Sequence, residues 1–295
     1  MKKAFIQLHI AVFLAGFTGV LGRLITLSEA VLVWYRMLIA CVVLWALFVF
    51  TKRKTSKSSP AMFIQASAVG IILAIHWVSF YAGIKISNVS TALVCLSSMG
   101  FFTAILEPVM LRQPFDLVEL LLGLLAIAGI ALVFHFDPHY KLGILVSLFS
   151  SLLASIFPIL NRRILQKLDP QTATRYQLSG GFLFLSALLP VYAYFFPISR
   201  WIPSRADWGW LLILGIVCTV LGYELFMKAL QKIPAFTVNL SYNLEPIYGV
   251  AMAFLIYRED REVSTGFYYG FFLIIAAVVL QTIRQKRMAA VKISS

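Results

Sequence analysis

The chain has 295 residues, 61% of them hydrophobic and 13% charged, with a net charge of +13 and a mean hydropathy of +0.89. Soluble domains are about 45–50% apolar and about 25% charged, so this composition excludes a soluble globule, a disordered chain and a disulfide scaffold. At about 20 residues per membrane helix, the apolar content suffices for about nine or ten spans and excludes a sizeable soluble domain.

Lys2 and Lys3 precede the first apolar run. No clear small-x-small cleavage site follows it, and more apolar segments come after, so it reads as an uncleaved first span. Ten such segments are predicted, over about 4–22, 30–50, 61–84, 88–111, 117–136, 142–160, 176–196, 208–227, 235–257 and 265–283. Their ends carry helix-breaking punctuation: Ser58-Ser59-Pro60, Gln113-Pro114, Asp137-Pro138, Asp169-Pro170, Pro197 with Pro203, and Ile233-Pro234. Several connections are only a few residues long, which makes successive helices antiparallel neighbours. The runs are continuous and do not alternate, unlike the strands of a membrane barrel.

Lys and Arg set the expected orientation. With the N-terminus cytoplasmic, seventeen of them fall inside and seven outside, and Arg36 lies within the second span. That asymmetry predicts both termini in the cytoplasm and a multi-pass protein of the inner, cytoplasmic membrane. The acidic cluster Glu259-Asp260-Arg261-Glu262 then falls outside. The positive charge, including Lys52-Arg53-Lys54 and the tail Arg284-Gln285-Lys286-Arg287, reads as contact with anionic lipid and not with nucleic acid. Cys41, Cys95 and Cys218 are dispersed in apolar stretches, with no disulfide framework and no metal spacing.

The two halves resemble each other. Arg23 and Arg36 recur as Arg162 and Arg175, and Leu14-Ala15 recurs as Leu153-Ala154, all at an offset of 139. Ala82-Gly83-Ile84-Lys85-Ile86 matches Ala229-Leu230-Gln231-Lys232-Ile233 at 147, and Leu111-Arg112-Gln113 falls opposite Tyr257-Arg258-Glu259 at 146. Five spans per copy is an odd number, so the second copy inserts upside down. The expected fold is therefore all-α and integral to the membrane: ten helices as two inverted five-helix repeats, 1–140 and 141–295, around a central cavity.

Three stretches resemble the drug/metabolite transporter superfamily, specifically its EamA-type ten-helix carriers. They are Tyr35-Arg36-Met37-Leu38-Ile39-Ala40; Ala82 to Ser90 running into Leu96-Ser97-Ser98; and Ala229 to Pro234 through Asn243-Leu244-Glu245-Pro246 to Tyr257-Arg258-Glu259. The sequence departs from the family pattern in the first half, where Gly100 stands for the usual proline and Gln113 for the usual glutamate. The resemblance implies two inverted five-helix bundles and export of small metabolites such as amino acids or amphipathic compounds. It names no single substrate.

Among the acids inside predicted spans are Glu107, Glu224 and Glu245. A charge in hydrocarbon costs roughly 2.5–3.5 kcal/mol on insertion scales and persists where it faces a cavity or a partner. Glu245 is expected near the middle of span nine, on a polar stripe with Asn239, Tyr242 and Asn243, with Pro246 breaking the helix beside it. It reads as the group that takes a substrate amine or a coupling proton, or else as a structural hydrogen-bonding group between helices. His76 and Trp77 in span three, with Ser97 from span four, are expected to face that stripe. Glu107, Arg36 and Pro246 are candidates for coupling or gating, Arg36 by pairing with a buried acid. Glu224 reads as an i,i+4 partner of Lys228. Trp77, Tyr81 and Tyr223 are candidates for an aromatic wall.

There is no GxxxxGK[ST] loop, no HExxH, no CxxC and no GxSxG in the chain. An ATP-driven pump and the common hydrolases are thereby disfavoured, and no metal or cofactor is called for. The expected protein is a secondary transporter exporting a small organic metabolite by alternating access, with a proton as the candidate coupling ion, working as a monomer or homodimer. The alternatives are a lipid flippase or passive channel, and a membrane-embedded enzyme acting on lipid.

Overall fold

A computed structural model describes residues 2–51, 59–136, 138–230, 232, 241–242 and 244–294, and these are helical almost throughout. In chain order the helices are α1 (Lys2–Leu24), α2 (Glu29–Thr51), α3 (Pro60–Ile86), α4 (Val89–Leu96), α5 (Met99–Leu111), α6 (Leu117–Phe136), α7 (Lys141–Ile164), α8 (Pro170–Phe195), α9 (Arg205–Leu212), α10 (Gly222–Leu230), α11 (Glu245–Tyr257) and α12 (Thr265–Ser294). A π-helical stretch, Ile213–Leu221, joins α9 to α10. Seven of these stretches are long and apolar enough to cross a membrane; Leu117–Val133, Glu245–Tyr257 and Thr265–Gln281 are shorter apolar helices. The protein is a multi-pass, all-helical membrane protein.

The sequence punctuation explains the helix starts. Ser59 caps α3 by accepting from the Met62 N–H, with Pro60 in the first turn. Asp169 caps α8 in the same way through Thr172, followed by Pro170. Ser204 and Asp207 close a reciprocal capping box on α9. Pro197 and Pro203 flank the extended segment between α8 and α9. Of the expected breaks, Ser58, Asp137, Ile233 and Pro234 lie outside the described residues.

Two predicted spans are not single α-helices. The segment expected over 88–111 breaks at Ser97-Ser98 into α4 and α5. The Ser98 hydroxyl adds to its own N–H on the Cys95 carbonyl, at 2.7 and 3.0 Å, and the Ser151 hydroxyl donates to the Leu96 carbonyl at 3.2 Å, so side chains supplement the backbone bonds at the interruption. The segment expected over 208–227 carries the π-helical stretch. There the Thr219 hydroxyl donates to the Leu214 carbonyl at 2.8 Å.

α5 and α11 are alike in a way that extends the sequence offset. Each is 13 residues long, and each begins and ends 146 positions from the other. Each is closed by an arginine in the left-handed region, Arg112 at φ 53° and Arg258 at φ 57°. The N–H groups of these two arginines donate to Pro108 and Phe254, again 146 apart. Among the described residues, no other non-glycine residue has positive φ.

α3 packs along α7 and α8, while α1 packs along α10 and α11, and α2 along α8 and the π-helical stretch. α4 meets α7 and α11, α5 lies between α6 and α7, and α6 pairs with α12. The α6–α12 pair is close because a Cβ at Gly129 would stand 2.6 Å from the Gly270 carbonyl oxygen, and one at Gly270 would stand 2.3 Å from that of Gly129.

Candidate functional site

A central cavity of about 920 Å³, its open mouth included, lies among α1, α2, α3, α4, α5, α7, α10, α11 and the π-helical stretch. Its wall is mostly apolar, and Arg36, His76, Tyr242 and Glu245 supply the main polar chemistry.

Arg36 is 3% exposed. Its Nε donates to the Thr219 hydroxyl at 2.8 Å and its Nη1 to the Tyr81 hydroxyl at 2.9 Å. The guanidinium carbon stands 3.5 Å from the centroid of the Trp77 ring. The π-helical stretch matters here, because Thr219 accepts from Arg36 while donating to the carbonyl five residues back. The sequence expectation of an ion pair between Arg36 and a buried acid is corrected. Among the described residues Arg36 has no carboxylate within 4.0 Å; two hydroxyls accept from its Nε and Nη1, and an indole face covers its flat surface.

Glu245 opens α11, with Pro246 in the first turn where its missing N–H costs nothing. A break beside Pro246 was the expectation, and the helix indeed starts anew at Glu245, just before it. The Glu245 side chain lines the cavity and makes no ion pair among the described residues. Met99, its counterpart 146 positions earlier, lines the same cavity.

His76 is held by Ser150. The ring Nδ1 lies 2.9 Å from the Ser150 carbonyl and 2.8 Å from its hydroxyl, and that hydroxyl donates its single proton to the His76 carbonyl. Nδ1 therefore carries the ring proton, an assignment from the hydrogen-bond pattern, and Nε2 is the acceptor of the neutral ring.

The aromatic wall differs from the expected trio. Trp77 and Tyr223 line the cavity, their ring centroids 6.2 Å apart, and Phe157, Phe226 and Tyr242 extend the surface. Tyr81 stands behind Arg36, fully buried and off the wall. Nothing in spacing singled out Phe157 or Phe226 from the 24 phenylalanines.

The structure thus brings together Glu245, Tyr242, His76, Trp77 and Arg36. Asn239 and Asn243, expected on the same stripe, lie outside the described residues. Ser97 is elsewhere. It lines a small separate hollow with Gly100, Phe101, Gly123 and Gln281, because the Ser97-Ser98 turn commits Ser98 to Ser151 of α7 and points its neighbour the other way. Glu107 is also off the cavity wall, ion-paired with Arg162 at 3.1 Å and half-exposed. Glu224 pairs with Lys228 at 2.6 Å, the expected i,i+4 contact. Arg175, the sequence counterpart of Arg36, is buried against Phe48 and Trp45 outside the cavity, so only one half contributes a guanidinium to the site.

Off the cavity wall, where α1, α3 and α11 end and α4 and α9 begin, lies a polar cluster, called here the seal. Glu259 is fully buried and accepts from the N–H groups of Val89 and Ser90 at 3.1 and 2.8 Å, from the Ser90 hydroxyl at 2.6 Å and from Arg23 at 2.5 Å. Arg23 also reaches Glu262 at 3.1 Å, and its guanidinium lies over the Tyr257 ring at 4.7 Å. Asp207 accepts from the N–H and hydroxyl of Thr26, both at 2.8 Å, and Lys85 donates to the Ile25 carbonyl at 3.1 Å. This seal was not read from the sequence, where Glu259 and Glu262 appear only as a solvent-side acidic cluster.

Comparison with known proteins gives the chain its relatives. A family profile described as the EamA-like transporter family matches it twice, over residues 2–135 and 141–283. An uncharacterised transporter of Archaeoglobus fulgidus is 24% identical over 262 residues, covering 86% of this chain and 88% of its own length. The uncharacterised transporter YetK of Bacillus subtilis is 21% identical over 296 residues, covering 96% and 88%. A solved crystal structure superposes with a TM-score of 0.67 at 15% identity, covering 98% of this chain and 99% of that one, a likeness of fold.

Proposed function

The chain belongs to the EamA-like transporter family and is a membrane transporter of small molecules rather than an enzyme, and from that premise we propose that it carries a small amphipathic organic metabolite outward by alternating access. The substrate class proposed is an amino acid or a related compound with a basic amine and an apolar or aromatic body. The observation that carries this reading is the carboxylate of Glu245, without an ion pair among the described residues, in a cavity walled by Trp77, Tyr223, Phe157, Phe226 and Tyr242. Arg36 is held in place by Thr219, Tyr81 and Trp77, and Glu245 supplies the negative charge of the same cavity. An ammonium there gains a counter-ion, while the aromatic faces take the apolar portion and any cationic edge. With no substrate amine bound, a proton is the alternative occupant of the same carboxylate, which makes it the candidate coupling ion.

Two inverted quintets, 1–140 and 141–295, are the proposed moving parts. The reading is supported by the matched helices α5 and α11, by the double family match, and by several helix contacts that are exchanged when each span is replaced by the one five further on. The α3 contacts with α7 and α8 have counterparts in those of α1 and α2 with the π-helical stretch and α10. Both termini are proposed to lie in the cytoplasm, on the positive-inside asymmetry of the sequence.

The test is transport by purified protein in sealed vesicles, scored by counterflow of labelled amino acids and aromatic amines. Counterflow is expected with the native protein, as a carrier gives and a channel does not. Glu245→Gln and Tyr242→Phe are each expected to abolish or strongly reduce it. If both variants transport as the native protein does, with the same pH dependence, the site is wrong.

A further inference from the structure

The polar cluster around Glu259 contains a carboxylate where the counterpart position in the other half has an amide. Glu259 follows the left-handed Arg258 that ends α11, and Gln113 follows the left-handed Arg112 that ends α5, at the same offset of 146. The two positions are therefore the same position in the two halves. Their surroundings differ completely. Glu259 is fully buried and joins three helices, receiving the first two N–H groups of α4 while bonding Arg23 of α1. Gln113 is exposed, and its side chain has no partner among the described residues. Arg162, the counterpart of Arg23 at the offset of 139, is not engaged with Gln113 but with Glu107, half a dozen residues earlier on α5.

We propose that Glu259 is the latch that closes the cavity on its face, and that Gln113 at the counterpart position makes the opposite latch the weaker one, so the resting carrier stands closed at Glu259 and open at Gln113. The proposal rests on the alternating-access reading. The physical reason is the difference between a carboxylate and an amide in the same cradle. A carboxylate accepts from two backbone N–H groups at a helix N-terminus, where negative charge is favoured, and from a guanidinium at once. An amide offers one neutral oxygen to the same donors and turns an NH₂ group toward the rest. Each half can form the latch when its own face closes, yet only one half carries a carboxylate at this position. The conformational equilibrium is thereby biased by a single residue pair rather than by the substrate site, and Glu259→Gln and Gln113→Glu should move it in the same direction.

The experiment measures distances by paired spin labels in nanodiscs, in a background with Cys41, Cys95 and Cys218 replaced by alanine. One pair, Ile86→Cys with Asp260→Cys, spans the latched face. The other, Phe115→Cys with Gln166→Cys, spans the opposite face; all four positions are exposed. With the native latch the first pair is expected in one short population. E259Q is expected to raise its long population about tenfold, the loss of one charge-assisted bond. Q113E, at an exposed position that leaves folding intact, is expected to enrich a short population in the second pair. If E259Q does not fold, Q113E alone decides. Unchanged distributions in Q113E and in any folded E259Q, with substrate still shifting both pairs, overturn the latch and leave the carrier reading standing. Distances on both faces that no substrate and no variant moves overturn the latch together with alternating access.

Discussion

Arg36 and Trp77 form one recognition surface: the guanidinium carbon stands 3.5 Å from the indole centroid, and both side chains line the cavity that holds Glu245. The pair depends on flatness as well as charge. A guanidinium can stack on the ring while donating edgewise to Thr219 and Tyr81; an ammonium cannot do both. Arg36→Lys is expected to reduce transport about tenfold or more, the equivalent of losing one buried hydrogen bond to a charged group at about 1.5–3 kcal/mol. Trp77→Phe, which keeps a ring face, should lose less. Counterflow rates in vesicles, normalised to folded protein, compare the two.

Thr219 and Ser97 separate a site residue from a neighbour that sequence spacing placed beside it. Thr219→Val leaves the Arg36 Nε buried without its acceptor, at a cost of about 1–3 kcal/mol. Its expected signature is a several-fold rise in KM for transport together with a lower unfolding temperature. Ser97→Ala touches only the separate hollow between α5, α6 and α12, so KM should not change.

Gly16 and Gly100 predict opposite outcomes for the same substitution. A Cβ at Gly16 would stand 2.9 Å from the Glu245 carbonyl oxygen and 3.1 Å from the Gly249 nitrogen, both backbone atoms that cannot rotate away. Gly16→Ala should push α1 from α11 at the level of the site and destabilise the protein by about 1–3 kcal/mol. At Gly100 nothing lies within 4 Å, and Gly100→Ala should stabilise by about 0.5–1 kcal/mol through helix propensity. Thermal unfolding of the purified variants reads both signs.

Asp116 and Arg284 tie the start of α6 to the far end of α12 at 2.5 Å. Burial is the largest single influence and pushes the Asp116 carboxyl up, but the hydrogen bond and charge of Arg284 and the N–H groups of Glu119 and Val118 together outweigh it and hold it below the ordinary carboxylate range. A carboxyl lowered on folding contributes stability above its unfolded pKa and loses it as pH falls through the folded one. Asp116→Asn should therefore lower the unfolding temperature at pH 7 and converge on the native protein below the ordinary carboxylate range. The effect should be small, because the pair is partly exposed. Unfolding curves between pH 3 and 7 (~) check the convergence.

Composition and hydropathy determined, without coordinates, that this chain is a bundle of membrane helices, since lipid permits only structures that satisfy their own backbone. The offsets of 139 and 146 already held the internal repetition, and an acid beside Pro246 already pointed to a candidate site; Glu245 lines the cavity. Local chemistry also placed the caps at Ser59 and Asp169, because those bonds are made within four residues. Tertiary structure alone decided which side chains meet. Arg36 engages Thr219, 183 positions away, instead of an acid, and Glu259 reaches Val89 and Ser90 across 170 and 169 positions. It also decided that Ser97 turns from the cavity, since Ser98 and Ser151 fix the turn. In a chain where nearly every surface is apolar, hydrophobicity brings helices into the membrane but does not distinguish one helical face from another; that choice falls to the few polar groups, whose partners lie far away in sequence.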